Sequence, residues 1–175
     1  MDIASVGHSI RPLAEFLDLL RAHGIATLVD VRKIPGSRRH PHFAREALAE
    51  ALTGAGISYR WMPELGGRRS TAGLSDANAA WRVPAFHAYA DHLASADGHA
   101  ALDALEAIAR ASPTAFMCAE ALWTKCHRRL IADALTARGW NVRHLMTAKR
   151  AEPHRLPDFA QVADGAVAYP ATWSA

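Results

Sequence analysis

Two cysteines in 175 residues are too few for a disulfide framework, which excludes a small stapled extracellular scaffold and leaves reduced thiols as the expectation. No apolar run approaches the roughly 20 residues that a bilayer-spanning helix requires, and no charged segment followed by an apolar one opens the sequence. A soluble, cytoplasmic protein with no membrane partner is therefore expected. Neither GxGxxG nor GxxxxGK[ST] occurs, so the two familiar glycine-rich phosphate loops are excluded. Excess charge of one sign is also scarce. A formal net charge of +3 and a pI near 9.2 are too mild to announce a nucleic-acid binder from composition alone. What is present, 50% hydrophobic and 21% charged residues, suits one ordinary globular domain with a sizeable core. No internal repeat or linker breaks it.

Residues 3–9, IASVGHS, form a short apolar run stopped at Gly7, as in a buried strand ending in a tight turn. Leu13, Phe16, Leu17 and Leu20 then recur at helical spacing after Pro12, and His23 with Gly24 supplies a stop. Residues 25–32 read as a second strand, so the chain opens as strand, helix, strand, which implies parallel pairing. Further helices are expected over residues 43–52, 86–93, 100–109 and 122–137, and further strands over 57–62, 114–120 and, last, 140–145. Residues 63–80 are glycine-rich, polar and without period, and read as a long loop of functional or mobile character. The expected fold is α/β, a single three-layer domain with a mainly parallel sheet flanked by helices. Residues 1–146 would form that domain, and residues 147–175 a tail packed on or over it.

Ligands of open α/β sheets bind beyond the carboxyl ends of the strands, where loops carry free side chains and helix amino-termini present N–H groups. The expected strand ends here lead into Gly7, His8 and Ser9, into Asp30 and Arg32, into Leu65, Gly66 and Gly67, and into Cys118 and Glu120. His8 reads equally as a satisfied, partly buried histidine or a ligand contact. Asp30 and Arg32 stand two apart on a strand and share a face, so they form either a plain ion pair or an acid beside a free guanidinium fork for an anion. The second reading is favoured, with Ser37 and Arg38 completing the cradle. Residues 32–45 hold Arg32, Lys33, Arg38, Arg39, Arg45, His40 and His42 with no acid, a run that is either a solvated loop or an anion-attracting one.

Residues 118–131, CAEALWTKCHRRLI, concentrate reactive groups. Placed on one helix, Cys126 and His127 begin neighbouring core-facing rows, Arg128 stands beside them, and Arg129 pairs with Asp133 on the wet face. Adjacent helical positions diverge by about 100°, which is poor geometry for a Cys126 nucleophile activated by His127. Zinc held by Cys118, Cys126, His127 and His8 is conceivable, but the seven-residue gap between the cysteines matches no common zinc pattern, so no metal and no cofactor is assigned. A carboxylate-centred site is preferred: Glu120, with Asp30 across the cleft, as nucleophile or general base, and Cys118 and His127 completing the catalytic set. Gly7, His8, Ser9, Arg32, Ser37, Arg38, Gly66, Gly67, Cys126 and Arg128 would bind the ligand. The bland alternative leaves both cysteines in the core and Glu120 paired with Arg128.

The stretches GHSIRPLAEFLDLLRAHGI with LVDVR, PGSRRHPHF, YRWMPELGG and MCAEALWTKCHRRLIADAL, with Val142 and His144 behind them, together resemble the domain-of-unknown-function 488 family. The resemblance implies that Gly7, His8, Ser9, Asp30, Arg32, Pro35, Ser37, Arg38, Leu65, Gly66, Gly67, Cys118, Glu120, Cys126, His127 and Arg128 occupy signature positions. Arg11 departs from the pattern, where relatives carry a Ser or Thr able to cap the first helix. The family name implies no reaction. The functional expectation is an enzyme of hydrolase or glycosyl-transfer type whose partner is a small anionic ligand, a phosphate-bearing nucleotide or nucleic-acid component. A non-catalytic nucleotide- or nucleic-acid-binding module and a thiol-based redox or metal protein are the alternatives, and a homo-oligomer is left open.

Overall fold

The computed structural model describes residues 1–36 and 39–171. Ser37 and Arg38, expected in the anion cradle, lie outside the described residues. In chain order the elements are β1 (Asp2–Gly7), α1 (Leu13–Ala22), β2 (Thr27–Asp30), α2 (Arg45–Gly54), β3 (Ser58–Trp61), α3 (Pro84–Ala94), α4 (Ala96–Ala111) and β4 (Thr114–Cys118). They continue as α5 (Arg128–Ala137), β5 (Asn141–Thr147), β6 (Arg150–Pro153), β7 (Gln161–Ala163) and β8 (Ala166–Ala168). The protein is an α/β domain built on a six-stranded sheet of order β3-β2-β4-β1-β5-β6, parallel except for β6.

Strand alternation sorts the core into two halves. Ala115 and Met117 of β4 join Leu28 of β2, Ala4 and Val6 of β1, and the apolar stripe Phe16, Leu19 and Leu20 of α1 with Leu48 and Leu52 of α2. On the opposite face Phe116 and Cys118 join Val29, Ile3 and Val142 against Tyr89 of α3, Leu102 and Leu105 of α4, and Leu130 and Ile131 of α5. This three-layer sandwich follows from the direction of the crossovers. The chain moves one way along the sheet from β1 through β2 to β3, then reverses to β4 and β5, and right-handed crossovers put the helices of the two runs on opposite faces. β1 and β4 are neighbours whose outgoing loops leave in opposite directions, so a crevice opens beyond their carboxyl ends.

Several expectations change. α5 starts only at Arg128; a short 3-10 turn, Trp123–Lys125, precedes it, and Cys126 is extended (φ −124°, ψ 148°). Trp123 stacks flat on His144, with ring centroids 4.0 Å apart, and this contact draws the segment off the helix axis. Residues 63–80 contain two 3-10 turns, Pro63–Leu65 and Asp76–Asn78, and the second is tied to α3 because Asp91 accepts hydrogen bonds from Ser75 and Asn78. β5 is not the last strand: β6 pairs beside it, and β7 with β8 forms a separate hairpin.

Asp133 is fully buried instead of facing water. Its carboxylate accepts hydrogen bonds from His154 Nε2 (2.7 Å) and the Tyr169 hydroxyl (2.7 Å), while Arg129 lies over the Trp81 ring. The line continues from His154 Nδ1 to His144 Nε2 (3.0 Å), from His144 Nδ1 to Ser5 Oγ (2.7 Å), and from Ser5 Oγ to Arg128 Nη1 (3.3 Å). Each link of the line pairs one donor with one acceptor if both imidazoles are neutral, with donation running from Arg128 Nη1 to Asp133, although Arg128 Nε has no partner among the described residues. Asp133→Ala removes the acceptor of two buried donors and is expected to lower the unfolding free energy by about 2–5 kcal/mol, seen as a lower urea midpoint. Tyr169→Phe, which deletes one hydrogen bond and no packing, is expected to cost about 1 kcal/mol.

Candidate active site

Three loops meet at the crevice beyond β1, β4 and β2. The β1 and β4 exits stay zipped past the sheet, because the His8 and Ser9 amides donate to the Cys118 and Ala119 carbonyls. Ser9 takes a left-handed φ of 50°, unusual for a residue with a side chain and a mark of a turn held by its surroundings. Gly7 is fixed by proximity: a Cβ there would stand 1.9 Å from the Glu120 carbonyl oxygen. Arg128 reaches the same carbonyl with Nη2 (2.6 Å), so this buried guanidinium holds the Glu120 backbone and leaves the carboxylate alone. The Glu120 carboxylate is exposed and makes no ion pair among the described residues.

Asp30 and Arg32 form a closed, buried pair. Asp30 Oδ1 accepts from the Arg32 amide (3.0 Å) and Nε (2.8 Å), and Oδ2 accepts from Arg32 Nη2 (2.5 Å) and the Tyr59 hydroxyl (2.7 Å). Burial works against the Arg32 charge, but Asp30 more than offsets it, and the guanidinium pKa rises above its ordinary value. Burial and Asp30 likewise raise the Tyr59 phenol. Both Asp30 oxygens are thus committed, and Arg32 keeps Nη1 for the crevice. His8 Nδ1 donates to the Ser9 carbonyl (2.9 Å), so Nε2 is the acceptor that faces Arg32 Nη1 at 3.3 Å. Burial, with Arg32 adding to it, lowers the His8 pKa to about 4, and the ring stacks on Phe43 at 4.1 Å.

The two cysteines and His127 converge. His127 Nδ1 lies 3.6 Å from Cys126 Sγ and 3.8 Å from Cys118 Sγ, and the three ligand atoms all fall within 4.8 Å of one another. The poor geometry expected for Cys126 and His127 depended on a shared helix, and neither residue is within α5. His127 Nε2 points at the Val31 carbonyl (3.3 Å); a carbonyl only accepts, so Nε2 carries the proton and Nδ1 presents its lone pair to the sulfurs. The Tyr89 ring meets the imidazole edge-on at 5.1 Å, and its hydroxyl donates to the Leu65 carbonyl (2.6 Å), which anchors the loop bearing Gly66 and Gly67. A Cβ on Gly67 would stand 2.6 Å from His127 Nδ1, and one on Gly66 would meet Lys33 at 2.8 Å. A hydrogen bond from the Cys118 thiol holds the Cys126 pKa well below its usual value against the effect of burial, with His127 and Arg128 assisting. Cys118 is pushed up by the Cys126 thiolate and by burial. The amino-terminus of α5 adds its dipole to the same thiolate.

A cleft of about 280 Å³ has Cys118, Cys126 and His127 in its lining, together with Arg32, Lys33, Arg68, Lys125 and Glu120. A second depression of about 520 Å³, with His8, Ser9, Arg39 and His40 in its wall, adjoins it through Arg32, Ile34, Ala119 and Glu120. Of the residues singled out in the sequence, His8, Ser9, Arg32, Cys118, Glu120, Cys126, His127 and Gly67 line these two hollows. Gly7, Asp30, Gly66 and Arg128 stand behind them as supports. Sequence reasoning passed over Tyr59 and Tyr89, whose only signal was a tyrosine within otherwise ordinary strand and helix patterns.

A family model described as "Domain of unknown function DUF488" matches residues 12–135, which include Asp30, Arg32, Glu120 and the Cys–His cluster but not Gly7, His8 and Ser9. No curated protein and no solved structure matches the chain.

His8 and His144 both titrate below the ordinary histidine value of 6.5 in the folded protein, His8 at about 4 and His144 at about 3; burial leads in each case. The unfolded chain therefore takes up protons first, and stability falls as the pH drops from 6.5 through these values. Urea unfolding at pH 7 and pH 5 is expected to show that loss, and His8→Gln should make it shallower.

Proposed function

The chain belongs to the DUF488 family, whose description names no reaction, and from its site we propose an enzyme that binds a phosphate-bearing nucleotide or nucleic-acid component and performs hydrolysis or glycosyl transfer. The observation that carries this reading is the composition of one cleft, in which a Cys–Cys–His cluster and a carboxylate with no ion pair among the described residues share walls with four cationic side chains. Arg32 offers Nη1 to an anion while Asp30 fixes its plane, and Lys33, Arg68 and Lys125 supply mobile charge nearer solvent. Glu120 serves as the proton carrier, since its carboxylate is the one acid of the cleft lining without an ion-pair partner among the described residues. Asp30 acts as a positioning residue for Arg32, because both of its oxygens are already engaged. Cys118, Cys126 and His127 form the floor against which the reacting group lies. The adjoining depression, with exposed Ile10 and Ile34 at its edge, gives room for the remainder of a nucleotide-sized ligand.

No membrane partner enters this reading, and no helix among the described residues is long and apolar enough to cross a membrane. The test is a screen of nucleoside phosphates, nucleotide sugars and short single-stranded oligonucleotides for turnover, repeated with two variants. Glu120→Gln is expected to lower kcat by about 10²–10⁴-fold, the usual worth of a positioned proton carrier. Arg32→Ala should raise KM and lower kcat/KM at least about tenfold, with Arg32→Lys rescuing little of it because the planar fork is lost. Full activity in both Glu120→Gln and Arg32→Ala would refute the assignment.

A further inference from the structure

We propose that Cys118, Cys126 and His127 form a three-ligand site for a soft divalent cation, zinc by preference, with its fourth position open to the cleft. Its catalytic meaning rests on the active-site reading above, but its existence does not.

The distances are the first argument. Zinc binds thiolate sulfur at about 2.3 Å and imidazole nitrogen at about 2.0–2.1 Å, so a tetrahedral centre sets S···N separations of about 3.6 Å. The two S···N separations here are 3.6 and 3.8 Å, and all three ligand atoms lie within 4.8 Å of one another. The imidazole is also set as a metal ligand. Its Nε2 proton goes to the Val31 carbonyl, which fixes the tautomer and aims the Nδ1 lone pair between the sulfurs, the outer-shell arrangement typical of metal-binding histidines. Tyr89 packs against the ring and Gly67 leaves the space in which it sits.

Two competing uses of these groups fit less well. A disulfide would have no need of an imidazole lone pair directed at both sulfurs. A lone thiolate nucleophile would need one cysteine, yet Cys118 and Cys126 are both buried, both beside His127 and both in the cleft lining. Soft thiolates with one imidazole select zinc over harder cations. Three protein ligands beside a cleft match sites that keep a fourth position for water or substrate, not closed four-ligand structural sites. Glu120 shares the wall but stays outside the ligand set.

The experiment uses the full chain, stripped with a chelator under reducing conditions and titrated with Co²⁺ and then Zn²⁺. One Co²⁺ per chain is expected, with a thiolate-to-cobalt charge-transfer band and tetrahedral d–d absorption, both abolished when Zn²⁺ displaces it. Cys118→Ser and Cys126→Ser should each weaken Co²⁺ binding by roughly 100-fold or more and reduce the charge-transfer band, and His127→Ala should weaken binding while keeping that band. Circular dichroism melts identify any variant that fails to fold. A second measurement needs no variant: stoichiometric Zn²⁺ should protect both thiols of the wild-type chain from alkylation. No saturable Co²⁺ uptake, unchanged alkylation with Zn²⁺, or full binding in both folded serine variants would each overturn the site. Glu120→Gln should bind Co²⁺ like the wild type. Metal binding with catalysis indifferent to Glu120 and Arg32 would sink the proposed function alone, and catalysis dependent on them without Co²⁺ uptake would sink the metal site alone.

Discussion

A guanidinium with 1% exposure organises this end of the molecule. Arg128 has no carboxylate within ion-pair distance among the described residues; it holds the Glu120 carbonyl on one side and Ser5 on the other. Burying such a charge is costly unless its surroundings compensate. Two features do so: the polar line through Ser5, His144 and His154 to the buried Asp133 carboxylate, and the sulfurs at the amino-terminus of α5. Because Arg128 grips the loop after β4, Cys118 and Glu120 are placed by the same contact that requires Gly7 to lack a side chain.

The cleft's charge is divided between fixed and mobile parts. Arg32 is immobilised by Asp30 and Tyr59, and His8 beside it is kept neutral by burial, so it can accept a hydrogen bond without opposing an arriving anion. Lys33, Arg68 and Lys125 are exposed and free to adapt. Such a division suits recognition in which one group defines the orientation of a phosphate and the others raise its local concentration.

Strand-and-helix alternation and the gathering of polar residues at one sheet edge were legible because both depend on period and spacing. Leu13, Phe16, Leu17 and Leu20 announce α1, and the glycines and charges after each strand announce the crevice. The stretch from Leu122 to His127 misled, since its helical spacing is genuine but a stacking contact between Trp123 and the distant His144 overrides it. Asp133 was placed on the wet face for a similar reason. Its partners, His154 and Tyr169, come from a tail whose pattern is too short to reveal pairing, and long-range polar burial leaves no periodic trace. The Cys–Cys–His grouping was raised as a zinc set but set aside on the cysteine spacing, and the same error obscured it further, because a helix through Cys126 and His127 would separate groups that an extended Cys126 brings together.

The line from Arg128 to Tyr169 also sets an order of events during synthesis. Asp133 and Tyr169 are 36 residues apart, and Tyr169 is the last partner along the line to leave the ribosome. Until it emerges, a nascent chain already holding β1 to β5 must carry Asp133 with at least one of its two acceptor bonds unmade, so the polar spine that ends at Arg128 stays open at its far end. What waits for the carboxyl-terminal segment is therefore the Asp133 end of the line, whereas the contacts that His127 makes with Cys118, Cys126, Val31, Gly67 and Tyr89 all come from residues translated before it.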